Sequence, residues 1–264
     1  MRWYLPDGNP LLWDELRRRM RGGRLYQLLL LDVLLLVGVA GACCLHLPGL
    51  GDQQAWAEWG KNTGILMLCW QLGLVILLSP LLCVGSIAAE WERHTLEALW
   101  LAPISNWTLI FGKFKGAMAV LGYMLLAGMP VAALVAQFGG ISPAELLFAY
   151  LLTFTCGAIF AALGLLASCQ STQTLAATLL GYGYLLLGLL LLGLFVRPFI
   201  AYNAQYGFSQ PSLFLFFLFF DVLVLFFNVA LFAFALGLDA LDKKRRVVYP
   251  EFYLQPLPDE TAGD

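Results

Sequence analysis

This sequence is short of charge. Only 12% of its 264 residues are Asp, Glu, Lys or Arg, against about 25% in an ordinary soluble domain. With 61% hydrophobic residues, it has too little polar surface to cover a water-exposed globule, and it reads as a polytopic membrane protein. A basic excess is also missing. The net charge is -2, which carries no nucleic-acid signature. Clustered metal ligands are absent. His46 and His94 fall in different loops, and Cys43, Cys44, Cys69, Cys83, Cys156 and Cys169 form no C-x-x-C pair, whereas zinc needs ligands at short spacing. The cysteines lie in or at the end of apolar runs and read as small apolar residues. No G-x-x-x-x-G-K-[ST] occurs, since Gly60-Lys61-Asn62 and Gly112-Lys113-Phe114 both fail it, so the usual phosphate cradle is missing. There is no H-E-x-x-H and no convincing Ser/His/Asp set. The chain is therefore not expected to be an enzyme, and no catalytic, cofactor-binding or metal residues are assigned. A cleavable leader is not expected either, because a charged stretch precedes the first apolar run and that run exceeds a signal core of about 7–15 residues.

What the sequence has in abundance is long apolar stretches. A helix needs roughly 20 apolar residues to cross a hydrocarbon core. Six runs qualify, at about 25–46, 63–88, 109–138, 144–168, 174–196 and 212–238. The expected fold is all-α and integral to the membrane. Residues 1–24 form an amphipathic connecting helix, 25–238 a six-helix transmembrane domain, and 239–264 a tail. Asn9-Pro10 is a good helix start, with an Asn cap and a Pro preorganised for the first turn. Leu12, Leu16 and Met20 then share one face, with Asp14, Arg17, Arg18 and Arg21 on the other, as in a helix lying on a membrane surface.

Lys and Arg near span ends set the orientation. Of the 15 Lys and Arg, six spans with both termini inside leave only Lys61 and Arg197 outside, and 13 inside. The termini are therefore expected in the cytoplasm. The outer loops, about 47–62, 139–143 and 197–211, are too short for an external domain. In the fourth run Gly157, Ala161, Gly164 and Ser168 share a face, and Ala177, Gly181 and Gly188 lie near one face of the fifth. Small residues let membrane helices approach closely, so these read as packing faces.

Charges inside the runs are costly, roughly 2.5–3.5 kcal/mol for a central Asp on insertion scales. Asp32 lies about 10 Å into the first span at 1.5 Å per residue, and Asp221 lies in the outer half of the sixth. Each is expected to face the bundle, a partner or water. Lys113 and Lys115 lie at a similar level to Asp32 and are candidate partners for it.

The segment with the most information is Glu90–Ser105, EWERHTLEALWLAPIS. It is charged and amphipathic, lies between two very apolar runs, and ends at a helix-breaking Pro103. In the expected orientation it faces the cytoplasm, where it suits a small helix that docks onto something.

Three features resemble the membrane subunit of type-2 ABC exporters. The first is the entry Asn9-Pro10 through Glu15-Leu16-Arg17, close to an N-P-x-x-x-x-E-L-R pattern. The second is the six-span layout with both ends inside. The third is Glu90 through Leu99 followed by Pro103-Ile104-Ser105, which looks like the family's E-x-E-x-G-T-L-E-x-L-x-x-x-P-[VIL]-S loop. His94 stands where Gly is usual, so a more helical turn is expected there. The resemblance implies that this loop is a coupling helix seated in a cleft of a separate ABC ATPase, which binds the ATP and Mg. Its contacts would be Glu90, Trp91, Glu92, Arg93, Thr95, Leu96, Glu97, Leu99 and Pro103, with Glu15, Arg17, Arg18 and Arg21 of the N-terminal helix beside them. It also implies a second permease copy, identical or a sister chain, within a prokaryotic cytoplasmic membrane. Spans one, two and five would line the path, with Asp32, Gln71 and Tyr184 as path residues. Two other classes stay open: an ATP-independent secondary transporter using Asp32 or Asp221, and a non-transporting assembly or anchoring protein.

Overall fold

The computed structural model describes residues 17, 23–47, 53–96, 100, 105–139, 141–206 and 211–248. Glu15, Arg18, Arg21, Glu97, Leu99, Pro103 and the Asp221 side chain lie outside the described residues. Of the predicted N-terminal helix, Arg17 is described, and it is helical and exposed.

Six long helices follow one another among the described residues: α1 (Arg24–Cys43), α2 (Gln53–Glu92), α3 (Asn106–Ala136), α4 (Pro143–Gln170), α5 (Thr174–Tyr206) and α6 (Pro211–Val248). Five carry stretches long and apolar enough to cross a membrane, namely Leu25–Cys43, Gln53–Glu92, Asn106–Ala136, Pro143–Gln170 and Val222–Val248. In α5 the apolar stretch among described side chains is the shorter Thr174–Leu190. The molecule is a multi-pass helical membrane protein.

The helix ends follow local chemistry. Ser105 caps α3 by accepting the Thr108 N–H at 3.2 Å. Ser142 and Glu145 form a reciprocal capping box at the start of α4, with Pro143 at its first position. α1 stops at Cys43, and Cys44–His46 form a tighter 3-10 turn in place of the predicted end of the first run. Elsewhere helix extends beyond the apolar runs. Residues 53–62 and 197–206, expected in outer loops, are helical, and α6 continues through the Lys243–Arg246 cluster. Residues 53–62 and the Lys243–Arg246 end of α6 are rich in good helix formers such as Gln, Ala, Lys and Arg, so helix outlasts hydrophobicity there.

α4 is the central helix, packed on α2, α6, α5 and α3, while α1 leans on α3 and α2. The small-residue face predicted on α4 is where α2 sits. A Cβ at Gly157 would come 2.7 Å from a Val75 methyl, and one at Gly164 would come 2.7 Å from Pro80 Cα. Ser168 Oγ accepts the backbone N–H groups of Ile87 and Ala88 at 2.9 and 3.0 Å. The α5 face works likewise: Gly181 lies against Val84, Gly188 against Phe160, and Ala177 is buried with Val84 and Ala88. Pro80 lies inside α2 and removes one helical donor. The neighbouring Ser79 hydroxyl donates to the Val75 carbonyl. None of the six cysteines is in a disulfide; Cys83, Cys156 and Cys169 are buried and Cys44 and Cys69 exposed.

Candidate functional site

The charged segment after α2 closes one end of the bundle. α2 stays helical through Glu92, turns at Arg93 and His94, and helical conformation resumes at Thr95 and Leu96. The turn is not more helical than a glycine would make it. His94 has φ 55°, left-handed, and no other non-glycine residue among those described has positive φ. Only glycine adopts that region without steric cost. The His therefore keeps the glycine conformation and bears the strain itself.

The segment's residues divide into an inward and an outward set. Glu90 points inward: its Oε1 accepts a hydrogen bond from Lys113 Nζ at 2.6 Å, with the side chains 14% and 7% exposed. This corrects the expected pairing of Lys113 or Lys115 with Asp32. Lys113 is held by Glu90, and Lys115 Nζ stands 4.6 Å over the Phe111 ring. Trp91 is half-buried, with its ring edge-on to Trp100 at 5.9 Å and Lys244 Nζ 5.0 Å over it. Leu96 is fully buried and Trp100 nearly so, in a core cluster with Leu109, Ile110 and Leu241. Trp100 Nε1 donates to Asn106 Oδ1, and Asn106 Nδ2 donates to Asp242 Oδ1. Lys244 Nζ donates to the Ser171 carbonyl, just past α4. The segment is thus fastened to α3, α4 and α6.

Glu92, Arg93, His94 and Thr95 face outward and are exposed. Thr95 Oγ1 donates to the Glu90 carbonyl at 3.2 Å. Glu92 Oε2 accepts from both the N–H and the hydroxyl of Thr174, at 3.2 and 2.8 Å, where α5 begins. α2 is about 60 Å long at 1.5 Å per residue, twice the hydrocarbon thickness of about 30 Å, and Glu92 is its last residue, beyond the apolar run 63–88. The Thr174 hydroxyl, the Thr174 N–H and the nearby Arg93 hold its carboxyl below the usual glutamate range.

The predicted path residues separate. Asp32 and Gln71 are each 2% exposed inside the bundle. Tyr184 lies elsewhere, half-buried, with its hydroxyl donating to Gln170 Oε1 at 2.7 Å. It lines an apolar pocket of about 380 Å³ between α4, α5 and α6, with Phe160, Gly188, Asn228 and Phe232. A second pocket, of about 310 Å³, lies between α2 and α4 from Lys61 and Glu145 to Leu72 and Thr153. The sequence reading missed Tyr150 and Asn106. Tyr150 is a buried tyrosine with an unpartnered hydroxyl. Asn106 is a polar residue just before an apolar run, and that position was the available signal.

The described residues form a multi-pass helical bundle with a charged segment fastened at one end. The model for the ABC-2 family transporter protein matches residues 10–226, and the chain belongs to that family. No curated protein matches the chain. The family supports a permease that works with an ABC ATPase subunit.

Proposed function

We propose that this chain is the permease subunit of an ATP-driven exporter, and that a separate ABC ATPase docks on the exposed turn Glu92–Thr95. All six helices span the cytoplasmic membrane of a prokaryote, both termini lie in the cytoplasm, and a second permease copy completes the path. ATP and Mg are bound by the ATPase alone, and this chain performs no chemistry. The observation that carries the reading is the division of the segment. Glu90, Trp91 and Leu96 are locked into the bundle while Glu92, Arg93, His94 and Thr95 are exposed on its end. A part that transmits force needs both a rigid root and an exposed contact. Direct contact with the ATPase therefore falls to the outward four, with polar groups suited to an interface rim. Trp91 and Leu96 serve as the root. Because Glu92 also holds the start of α5, displacement of the turn reaches α5 as well as α2 and α3. The exposed face of α1, with Leu30, Leu34 and Val37, is the surface offered to the second copy.

The test is copurification of the tagged chain from native membranes in mild detergent. The expected result is an ATPase with a phosphate-binding loop and an ABC signature. Arg93→Glu combined with Thr95→Trp should release it while leaving membrane insertion intact. Absence of any ATPase, even after crosslinking, overturns the reading.

A further inference from the structure

Among the described residues, four polar atoms inside this bundle are buried with no hydrogen-bond partner: both carboxylate oxygens of Asp32, Nε2 of Gln71 and the hydroxyl of Tyr150. The three side chains come from α1, α2 and α4 and are 2%, 2% and 7% exposed. They stand at one level. A Cβ on Gly128 of α3 would lie 2.5 Å from Gln71 Nε2 and 2.8 Å from Leu36 Cδ1, and Leu36 is one helical turn beyond Asp32. Tyr150 packs with Val75, one turn beyond Gln71, and with Leu125 and Ala132, which flank Gly128 on its own face. Asp32 acts electrostatically on Tyr150. Gly128 thus leaves room for the Gln71 amide, with Asp32 and Tyr150 on neighbouring helices and in electrostatic reach of each other.

The charge balance of this site is incomplete. A carboxylate inside hydrocarbon needs a compensating cation, since an unpaired buried charge is far more costly than a paired one. The Lys113 side chain is spent on Glu90 and Lys115 stands over Phe111. Among the described residues, the titratable group that interacts electrostatically with Asp32 is Tyr150, on α4. Two carboxylate oxygens, a phenol oxygen and a side-chain amide, whose O and N are interchangeable by a flip, form a hard, oxygen-rich donor set. Such a set suits small hard cations.

We propose that Asp32, Gln71 and Tyr150 form an intramembrane site for a monovalent cation, either a proton on Asp32 or an alkali ion held by all three. Occupancy neutralises Asp32 when the site is closed, and so links the conformation of the bundle to a cation. The proposal needs no ATPase and does not depend on where one docks.

The full-length chain in lipid nanodiscs tests it in two arms. In the first, thermal unfolding is followed while sodium or potassium replaces choline at constant ionic strength. An alkali-ion site raises the melting temperature with increasing ion. Asp32→Asn removes that response, and Tyr150→Phe, which removes one of the oxygens that would hold the ion, weakens the apparent affinity. In the second, infrared difference spectra without alkali ions are recorded for wild type and Asp32→Asn. A proton site shows a protonated-carboxyl band that the variant lacks, and Tyr150→Phe shifts it. A positive first arm identifies an alkali ion and a positive second arm identifies a proton. If the wild-type chain shows neither response, the proposal is overturned, whether or not the variants fold.

Discussion

The two polar regions of this bundle are built on opposite principles. At the end of α2 the polar side chains are matched. Glu90 meets Lys113, Glu92 meets Thr174, Asn106 bridges Trp100 and Asp242, and Lys244 reaches the Ser171 carbonyl. Glu90 Oε2 and Ser171 Oγ are the exceptions there. Around Gly128, by contrast, Asp32, Gln71 and Tyr150 are as deeply buried and unmatched. Matched polar groups hold a shape, because each is satisfied in only one arrangement. Unmatched ones have a reason to bind something. The same residue types therefore serve as fastening in one place and as a site in the other.

The comparison breaks most sharply at Lys113. Lys113→Met leaves Glu90 buried without its cation, and removing one partner of a buried pair costs about 3–5 kcal/mol. Thermal unfolding in detergent should show that loss, and adding Glu90→Leu should restore much of it. At Asp32 the opposite is expected, since Asp32→Asn breaks no pair and should cost less than Lys113→Met. Gly164→Ala comes next. Its new methyl would meet Pro80 backbone at 2.7–2.8 Å, and overpacking of this kind costs about 1–3 kcal/mol. Gly183→Ala, with nothing within 4 Å, is the control and should be near neutral or stabilising. A smaller effect is expected at the turn: His94→Gly removes left-handed strain of about 1–2 kcal/mol, less the backbone entropy of glycine, and the melting temperature should rise slightly.

The smallest effect follows pH. The Glu92 carboxyl is held below its ordinary range, so its stabilising contact with Thr174 is complete above that range and is lost as pH falls through the lowered value. Hydrogen exchange at the first turn of α5 should speed up on acidification, and Glu92→Gln should remove that pH dependence.

Much of this was legible in the sequence. Apolar run length located the helices, and small residues at helical spacing located the α2–α4 contact through Gly157, Gly164 and Ser168. The expense of charge in lipid placed Asp32 inside the bundle. What was not legible depended on three-dimensional register. Lys113 looked level with Asp32 in the sequence, yet Gly128, fifteen residues beyond Lys113, lies against Leu36, only four beyond Asp32, so Lys113 sits nearer the end of the bundle and meets Glu90 instead. Tyr150 carries no sequence signal beyond being one tyrosine in an apolar run. Its significance appears only once α2 and α3 pack against α4. Leu96 looked like a contact for a partner because an amphipathic segment does not say which way its apolar face turns.

The account's central claim is that the exposed turn after α2 meets an ABC ATPase. Site-directed crosslinking of His94→Cys in native membranes tests it most directly, with Lys61→Cys at the opposite end of α2 as the control. The account predicts an ATPase adduct from position 94 and none from position 61. Equal labelling from both positions, or an adduct from 61 alone, would contradict it.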